Sequence, residues 1–417
     1  GTNVASDALA NLSSGGVLGG ALIIVGEDYG EGSSIMQERT HAFAMKSQIW
    51  LLDPKPHLPS IVKAVHDGFA LSEATRTPVM LELRIRSCHL HGKFITKENR
   101  RPAYSLKDAL EQPRRDVDRI VLPPASFLHE REKIDQRWPA AVRFIQEQRL
   151  NEFVPGDLAE LGIIMLGGMS NNVQRALHLL DMADLFGESR IPQYILNVAY
   201  PLVEDEVLRF CEGKRAVLVI EEGQPDYHEQ HLNTILRRRG VATAIHGKDM
   251  LPMGGDYTVA VLRTGVRQFL QRHHPAALAS AVPVAAPQPR AAASSEIVAL
   301  PPRPPGLCVG CPERPIFSSF KLVEQELGPH HVSSDIGCHL FQIMPPFHIG
   351  ATTMGYGLGA SSASAFNAGG QLGANCTCVC RDQFSGARCH LCETATLQCA
   401  NGVAGVLDGK CACACTA

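Results

Sequence analysis

Cys308 and Cys311 stand three residues apart, and Cys338-His339 follows in the same stretch. Two thiols, a third thiol and an imidazole are the ligand types of a four-coordinate zinc site. The same cysteines could instead line a pocket or sit as plain core thiols. Further along, Gly355, Gly357 and Gly359 alternate just before the small helix formers Ala360 to Ala365. A glycine-rich turn that feeds a helix N-terminus is a generic anion or phosphate site, because free N–H groups and the helix dipole point at it; a small-residue helix packed on a sheet is the alternative. Two acidic pairs also follow apolar runs. Glu27-Asp28, with Ser33-Ser34 beyond it, follows Ala21–Val25, and Glu221-Glu222-Gly223 follows Arg215–Ile220. Ligand sites in parallel α/β sheets lie beyond the carboxyl ends of strands. The Glu221-Glu222 pair could therefore do acid/base work or hold a partner's arginine, or be solvated.

The elements that must position these groups read as α/β. Ala21–Val25, Ile49–Leu52 and Pro78–Arg84 are short apolar runs of the buried parallel-strand kind, and Ile61–Ala74 between them has helical spacing, with Ile61, Val65, Phe69 and Ser72 along one face. Residues 96–155 are charged and contain prolines. They form a connecting segment with the basic pairs Arg100-Arg101 and Arg114-Arg115, which could hold a partner subunit or face solvent, and with a helix-like stretch over Glu130–Leu150. In residues 156–274 the runs Leu161–Leu166, Tyr194–Val198, Arg215–Ile220 and Tyr257–Leu262 read as strands. A helix is expected over Asn171–Leu180, capped by Ser170 or Asn171. Residues 275–305 are an Ala/Pro-rich linker, which is extended and semi-stiff. An amphipathic helix and a β-prone run ending at Ser334–Cys338 follow.

The run Cys308-Val-Gly-Cys-Pro-Glu-Arg314, then Ser334-Asp-Ile-Gly-Cys338, Pro345-Pro346 and Thr352-Thr-Met-Gly355, resembles indolepyruvate:ferredoxin oxidoreductase, at the start of the domain that holds the diphosphate of thiamine diphosphate in its large subunit. The likeness extends over the chain. Gly1–Ala5, Gly15–Gly20, Glu27-Asp28 and Ser33–Glu38 are similar to the second half of that family's pyrimidine-binding domain, and Val217–Gly223 and His246-Gly-Lys248 to its middle domain. The resemblance implies several thiamine-enzyme-like domains built on parallel sheets: a partial pyrimidine-binding domain over 1–95, the middle domain over 156–274 and the start of the diphosphate-binding domain over 306–370. It implies that Cys308, Gly310, Cys311, Asp335, Gly337 and Cys338 line the cofactor pocket. It also implies oxidative decarboxylation of arylpyruvates or similar 2-oxo acids, with thiamine diphosphate and Mg2+ as cofactors, coenzyme A and ferredoxin as acceptors, and a second subunit or fused domain as partner. Three features depart from the family pattern. The glutamate that activates the aminopyrimidine lies upstream of the segment matching Gly1, the Gly-Asp-Gly metal motif expected after Ala365 is absent, and Glu313 stands where many members have His. The first residues read like the middle of a domain. A chain so composed is expected to be inactive alone, as an incomplete core, remnant or assembly subunit.

Composition changes sharply after Asn375. Nine of the fourteen cysteines lie beyond it, from Cys376 to Cys415. They do not match the spacing of a ferredoxin-type iron–sulfur ligand set. Cys378–Cys389 looks more like an epidermal-growth-factor-type loop, so residues 371–417 read as an irregular Cys-rich tail of separate origin, with metal binding as an alternative. The other five, Cys88, Cys211, Cys308, Cys311 and Cys338, suit a reducing cytoplasm. With 417 residues, a net charge of −3 and 19% charged residues, the chain shows no polybasic signal for nucleic acid, and no apolar run is long enough to span a membrane.

Overall fold

The computed structural model describes residues 2–27, 29, 39–98, 105–113, 115–184, 186–278, 306–355 and 357–367, and the backbone of four short strands in the tail. Asp28, Ser33, Ser34, Arg100, Arg101, Arg114, most of the Ala/Pro-rich segment and Cys376, Cys380, Cys389 and Cys392 lie outside the described residues. Two compact units are present, Thr2–Ile297 and Val298–Ala417.

Two mixed sheets build the first unit. β1 (Leu22–Glu27), β2 (Trp50–Leu52) and β3 (Val79–Arg84) alternate with α1 (Ser6–Gly15), α2 (Thr40–Ser47) and α3 (Leu58–Thr75). Both β1 and β2 run parallel to β3, from Leu22↔Val79 and Trp50↔Val79 onward. The helices α4 (Ile85–Cys88), α5 (Leu106–Glu111), α6 (Ala125–Glu132) and α7 (Trp138–Glu147) follow, with a π-helical turn over Lys133–Arg137 joining the last two. The second sheet has the order β4 (Glu152–Val154), β6 (Gln193–Leu196), β5 (Leu161–Leu166), β8 (Ala216–Ile220) and β9 (Ala244–His246). β5, β6, β8 and β9 pair in parallel, and β4 runs antiparallel on the edge. Every residue of β5 and β8 is buried, as expected for strands covered on both faces. After Leu196 the chain crosses over, and β7 (Val198–Tyr200) pairs antiparallel with β2 of the first sheet. The backbone N–H of Asp53 donates to the carbonyl of Asn197 at that crossing, and one continuous apolar cluster underlies both sheets. The remaining helices are α8 (Ser170–His178), α9 (Glu204–Cys211), α10 (Tyr227–Arg239) and α11 (Val259–His273).

Three local expectations are corrected. Tyr257–Leu262, read as a strand, opens α11. The Thr258 hydroxyl caps it by accepting from the N–H of Val261, and Leu262, Gly265, Val266, Phe269 and Leu270 are its buried face. Those positions recur at the helical interval, which outweighs the β-branched start. The core face of α3 is Ala64, Gly68, Leu71, Ser72 and Thr75, while Phe69 is 44% exposed. Ser170 is the first residue of α8, and no side chain caps that helix.

In the second unit β10 (Ser333–Asp335) pairs in parallel with β11 (Thr352–Met354), flanked by α12 (Glu313–Leu327) and α13 (Gly359–Asn367). A 3₁₀ segment over Cys338–Ile343 links the strands. In the tail, β12 (Cys378–Val379), β13 (Gln398–Cys399), β14 (Gly402–Leu407) and β15 (Lys410–Cys415) pair antiparallel, with β14 and β15 in register from Leu407↔Lys410. The Asp-Gly dipeptide between those two runs is a hairpin signal that a reading of the tail as irregular passes over.

Candidate functional site

The thiols of the second unit come first. The backbone N–H of Cys311 donates to the carbonyl of Cys308 at 3.2 Å, which closes a tight turn. Gly310 sits in this turn at φ +75°, a conformation that disfavours any side chain, although a Cβ there would meet nothing. Cys308 and Cys338 are exposed, and Cys311 is half-buried against the cluster of Leu307, Phe317 and Ile349. Burial, then the carboxylate of Glu313, then Cys311 and Cys308 push the Cys338 thiol above its usual range. Those neighbours put the three thiols and Glu313 in one locality. His339 Nδ1 lies 3.5 Å from Glu313 Oε1, and Glu313 Oε2 is buried without a hydrogen-bond partner.

The glycine-rich turn before α13 is not an open anion site. Asp335, at the end of β10, accepts from the N–H of Gly357 at 3.0 Å through Oδ2 and from the N–H of Gly359 at 2.6 Å through Oδ1. The chain's own carboxylate fills the cradle. A Cβ on Gly359 would stand 2.6 Å from Asp335 Oδ1, so this position requires glycine. Asp335→Ala is expected to destabilise the unit by about 1–3 kcal/mol, since it strips both amides of a charged acceptor. Urea titration against Asp335→Asn, which keeps one acceptor, checks this.

The first unit holds a buried charge network where β1, β3 and β8 end. Glu27 Oε1 accepts from the N–H of Thr40, the first residue of α2, at 2.9 Å. Arg84 donates to Asp53 at 2.7 Å and to Glu222 at 2.8 Å, and lies 3.5 Å from Glu82. Arg86 donates to the other oxygen of Glu222 at 2.6 Å, and Arg39 donates to Glu221 at 2.7 Å. Both ring nitrogens of His228 face acceptors, Glu221 Oε1 at 2.9 Å and the carbonyl of Ala199 at 3.0 Å. Tyr29 donates to Glu82, with Arg39 and Arg84 over its ring.

Burial, then Glu27 and Asp53, push the carboxyl of Glu82 well above the usual glutamate range. Burial opposes ionisation of Glu221 as well, but His228 and Arg39 outweigh it and hold that carboxyl far below the ordinary range. Burial and the adjacent His228 and Arg39 hold His41 well below the usual imidazole value. Lys248, whose ammonium donates to the carbonyls of Glu221 and Gly223 and to the Tyr257 hydroxyl, is lowered to about 8 by burial. The carboxyls of Glu27, Asp53, Glu82, Glu221 and Glu222 outnumber the guanidiniums of Arg39, Arg84 and Arg86, so a proton kept on Glu82 reduces the excess of buried negative charge.

Of the acidic pairs, Glu221 and Glu222 are buried and hold arginines of their own chain. Arg39, Glu82, Arg84 and His228 are the partners that spacing alone does not reveal. Among the described residues, no group of three or more His, Cys, Asp or Glu side chains is placed to hold a metal ion. No described helix is long and apolar enough to cross a membrane.

The fold is α/β, with two mixed, mainly parallel sheets in the first unit and a parallel strand pair in the second. Its sequence is similar to that of indolepyruvate oxidoreductase subunit IorA. Identity is 27% over 88% of this chain and 56% of the Methanothermobacter marburgensis protein, 29% over 86% and 52% for Thermococcus kodakarensis, and 27% over 88% and 55% for Archaeoglobus fulgidus. The chain thus spans about half the length of these relatives. No family model matches it. Among solved structures, a 2-oxoglutarate:ferredoxin oxidoreductase from Magnetococcus marinus aligns over 63% of this chain and 51% of its own, at 15% identity and TM-score 0.41. A split-gene transketolase aligns over 60% and 66%, at 12% identity and TM-score 0.32.

Proposed function

We propose that this chain acts as part of a thiamine diphosphate-dependent 2-oxo acid oxidoreductase that takes indolepyruvate or a similar arylpyruvate, passes the acyl group to coenzyme A and the electrons to ferredoxin, and works in the cytoplasm with a second subunit. One observation carries the reading: similarity to IorA proteins over nearly nine-tenths of the chain. When bound, the cofactor supplies a nucleophilic carbon for the 2-oxo carbonyl and an electron sink for decarboxylation.

Cys308, Gly310, Cys311, Asp335, Gly337 and Cys338 are the proposed lining. The organic part of the cofactor fits here. Two exposed thiols and a glycine with open space above it leave room for it beside the turn. The magnesium does not fit the described residues. Both oxygens of Asp335 are committed to backbone amides, and no metal-binding group is placed nearby. In this reading its ligands come from outside the described residues.

The complex isolated through an affinity tag on this chain tests the function. With thiamine diphosphate, magnesium, coenzyme A and a low-potential dye, dye reduction should require a 2-oxo acid and run faster with indolepyruvate than with pyruvate. No reduction with any 2-oxo acid overturns the reading, and a preference for pyruvate overturns the arylpyruvate assignment.

A further inference from the structure

We propose that a cleft at the β4 edge of the second sheet binds a free α-amino acid, recognised by its ammonium and carboxylate groups together. The cleft lies where the end of α7, the edge strand β4 and α9 meet, and its volume is about 440 Å³. That is within the usual size range of a small-molecule site. Its acidic end is Glu206, a side chain only 5% exposed. One carboxylate oxygen, Oε2, accepts from the Tyr194 hydroxyl at 2.8 Å and from the side-chain amide of Asn151 at 2.9 Å. Asn151 is itself held in place by the N–H of Val198, which donates to its Oδ1 at 2.9 Å. The other oxygen, Oε1, takes no hydrogen bond from a described residue, yet it is not sealed from solvent, so it faces the cleft that Glu206 lines. A buried carboxylate with one oxygen left open calls for a donor, and a cationic donor satisfies it best.

The cationic end comes from Arg149 and Arg209. Arg149 stands between α7 and β4 at φ +49°. Arg209 is three residues beyond Glu206 on α9, a spacing that puts both on one face of the helix. Its guanidinium lies 4.5 Å from the centre of the Phe153 ring, which stacks in turn on Tyr194 at 4.5 Å. That stack fixes one guanidinium beside the cleft. Both arginines line it, and neither forms an ion pair with a described acid. Two guanidiniums with donors to spare suit a carboxylate, which accepts forked hydrogen bonds. Charge then selects among ligand classes. Asp205 and Glu206 on the same wall repel a phosphate or a dicarboxylate, and the two arginines repel a diamine. A ligand that carries one charge of each sign satisfies both ends. Gln146 and the partly exposed Phe153 remain for its side chain. The proposal stands apart from the thiamine reading, because it concerns the first unit and its readout is binding, not turnover.

Thermal unfolding of the full chain with each standard L-amino acid in turn tests it, followed by calorimetric titration with those that stabilise. At least one should raise the midpoint and bind with a Kd at or below about 1 mM. The N-acetyl derivative of that amino acid lacks the ammonium, and its amide lacks the carboxylate. Each should bind at least about tenfold more weakly, the loss of one charge-assisted contact. Arg149→Asn, which places a residue that tolerates the left-handed backbone, should weaken binding by a similar factor. So should Glu206→Gln, which still accepts from Tyr194, with the folded state of both variants checked by circular dichroism. Arg143→Ala, at an exposed arginine of α7 outside the cleft, should leave binding unchanged. Stabilisation by no amino acid would overturn the proposal. So would equal binding of the N-acetyl or amide derivative, inorganic phosphate binding as tightly as the amino acid, or full binding retained in the folded Arg149→Asn chain.

Discussion

Arg84→Ala is expected to destabilise the first unit by about 3–5 kcal/mol, the range for removing one partner of a buried ion pair. The side chain is buried and its guanidinium spans Asp53 and Glu222 through separate nitrogens, with Glu82 at 3.5 Å. Without it three buried carboxyls lose their common cation. Asp53 also accepts from the backbone N–H of Gly168, and Glu222 from that of Tyr257, so the loss reaches both sheets. Arg84→Lys should recover only part of the stability, because one ammonium cannot reproduce the two-pronged fork. Urea unfolding followed by far-ultraviolet circular dichroism measures the effect. A loss below about 1 kcal/mol, the usual worth of an exposed pair, would show that the network is solvated rather than buried.

Glu82→Gln should have the opposite sign above neutral pH. Below the ordinary glutamate value both folded and unfolded chains hold the proton, and this group adds no pH dependence. Above it, the unfolded chain releases the proton while the folded chain, with its raised value, keeps it. Stability therefore falls as pH rises, until the folded group itself titrates. Glutamine cannot titrate, still accepts from the Tyr29 hydroxyl, and can offer an N–H to neighbouring Glu27. The variant should gain on the parent progressively from about pH 5 upward, at the ordinary glutamate range. Thermal unfolding of both proteins at pH 5 and pH 8 checks this. A difference that shrinks with rising pH would mean that Glu82 is ionised in the folded chain.

The strands of the second sheet were legible because a strand buried on both faces is a continuous apolar run. Leu161–Leu166 is a strand over the range read from sequence, and Arg215–Ile220 is one from Ala216 onward. The same habit misled at Tyr257–Leu262, where β-branched residues begin a helix whose apolar positions continue far beyond the window. The charge network was hidden for a different reason. Arg84 and Glu222 are 138 residues apart, and pairing over that distance leaves no periodic trace. Only the position of the acidic pairs at strand ends pointed there, and it left their partners open. At the glycine-rich turn, spacing identified the backbone donors correctly but could not show that Asp335, 22 and 24 residues upstream, already satisfies them. The six lining residues proposed for the cofactor rest on motif likeness, and the geometry adds the clustering of the thiols around Glu313.

Calorimetric titration of the folded chain with thiamine diphosphate in the presence of magnesium tests the central claim most directly. Saturable binding is the expected result, and it should be lost in Cys338→Trp, which puts a bulky ring at an exposed thiol of the proposed lining while circular dichroism shows the fold kept. No binding by the folded parent chain, or binding that the Cys338→Trp variant retains in full, would contradict the assignment of this stretch to the cofactor.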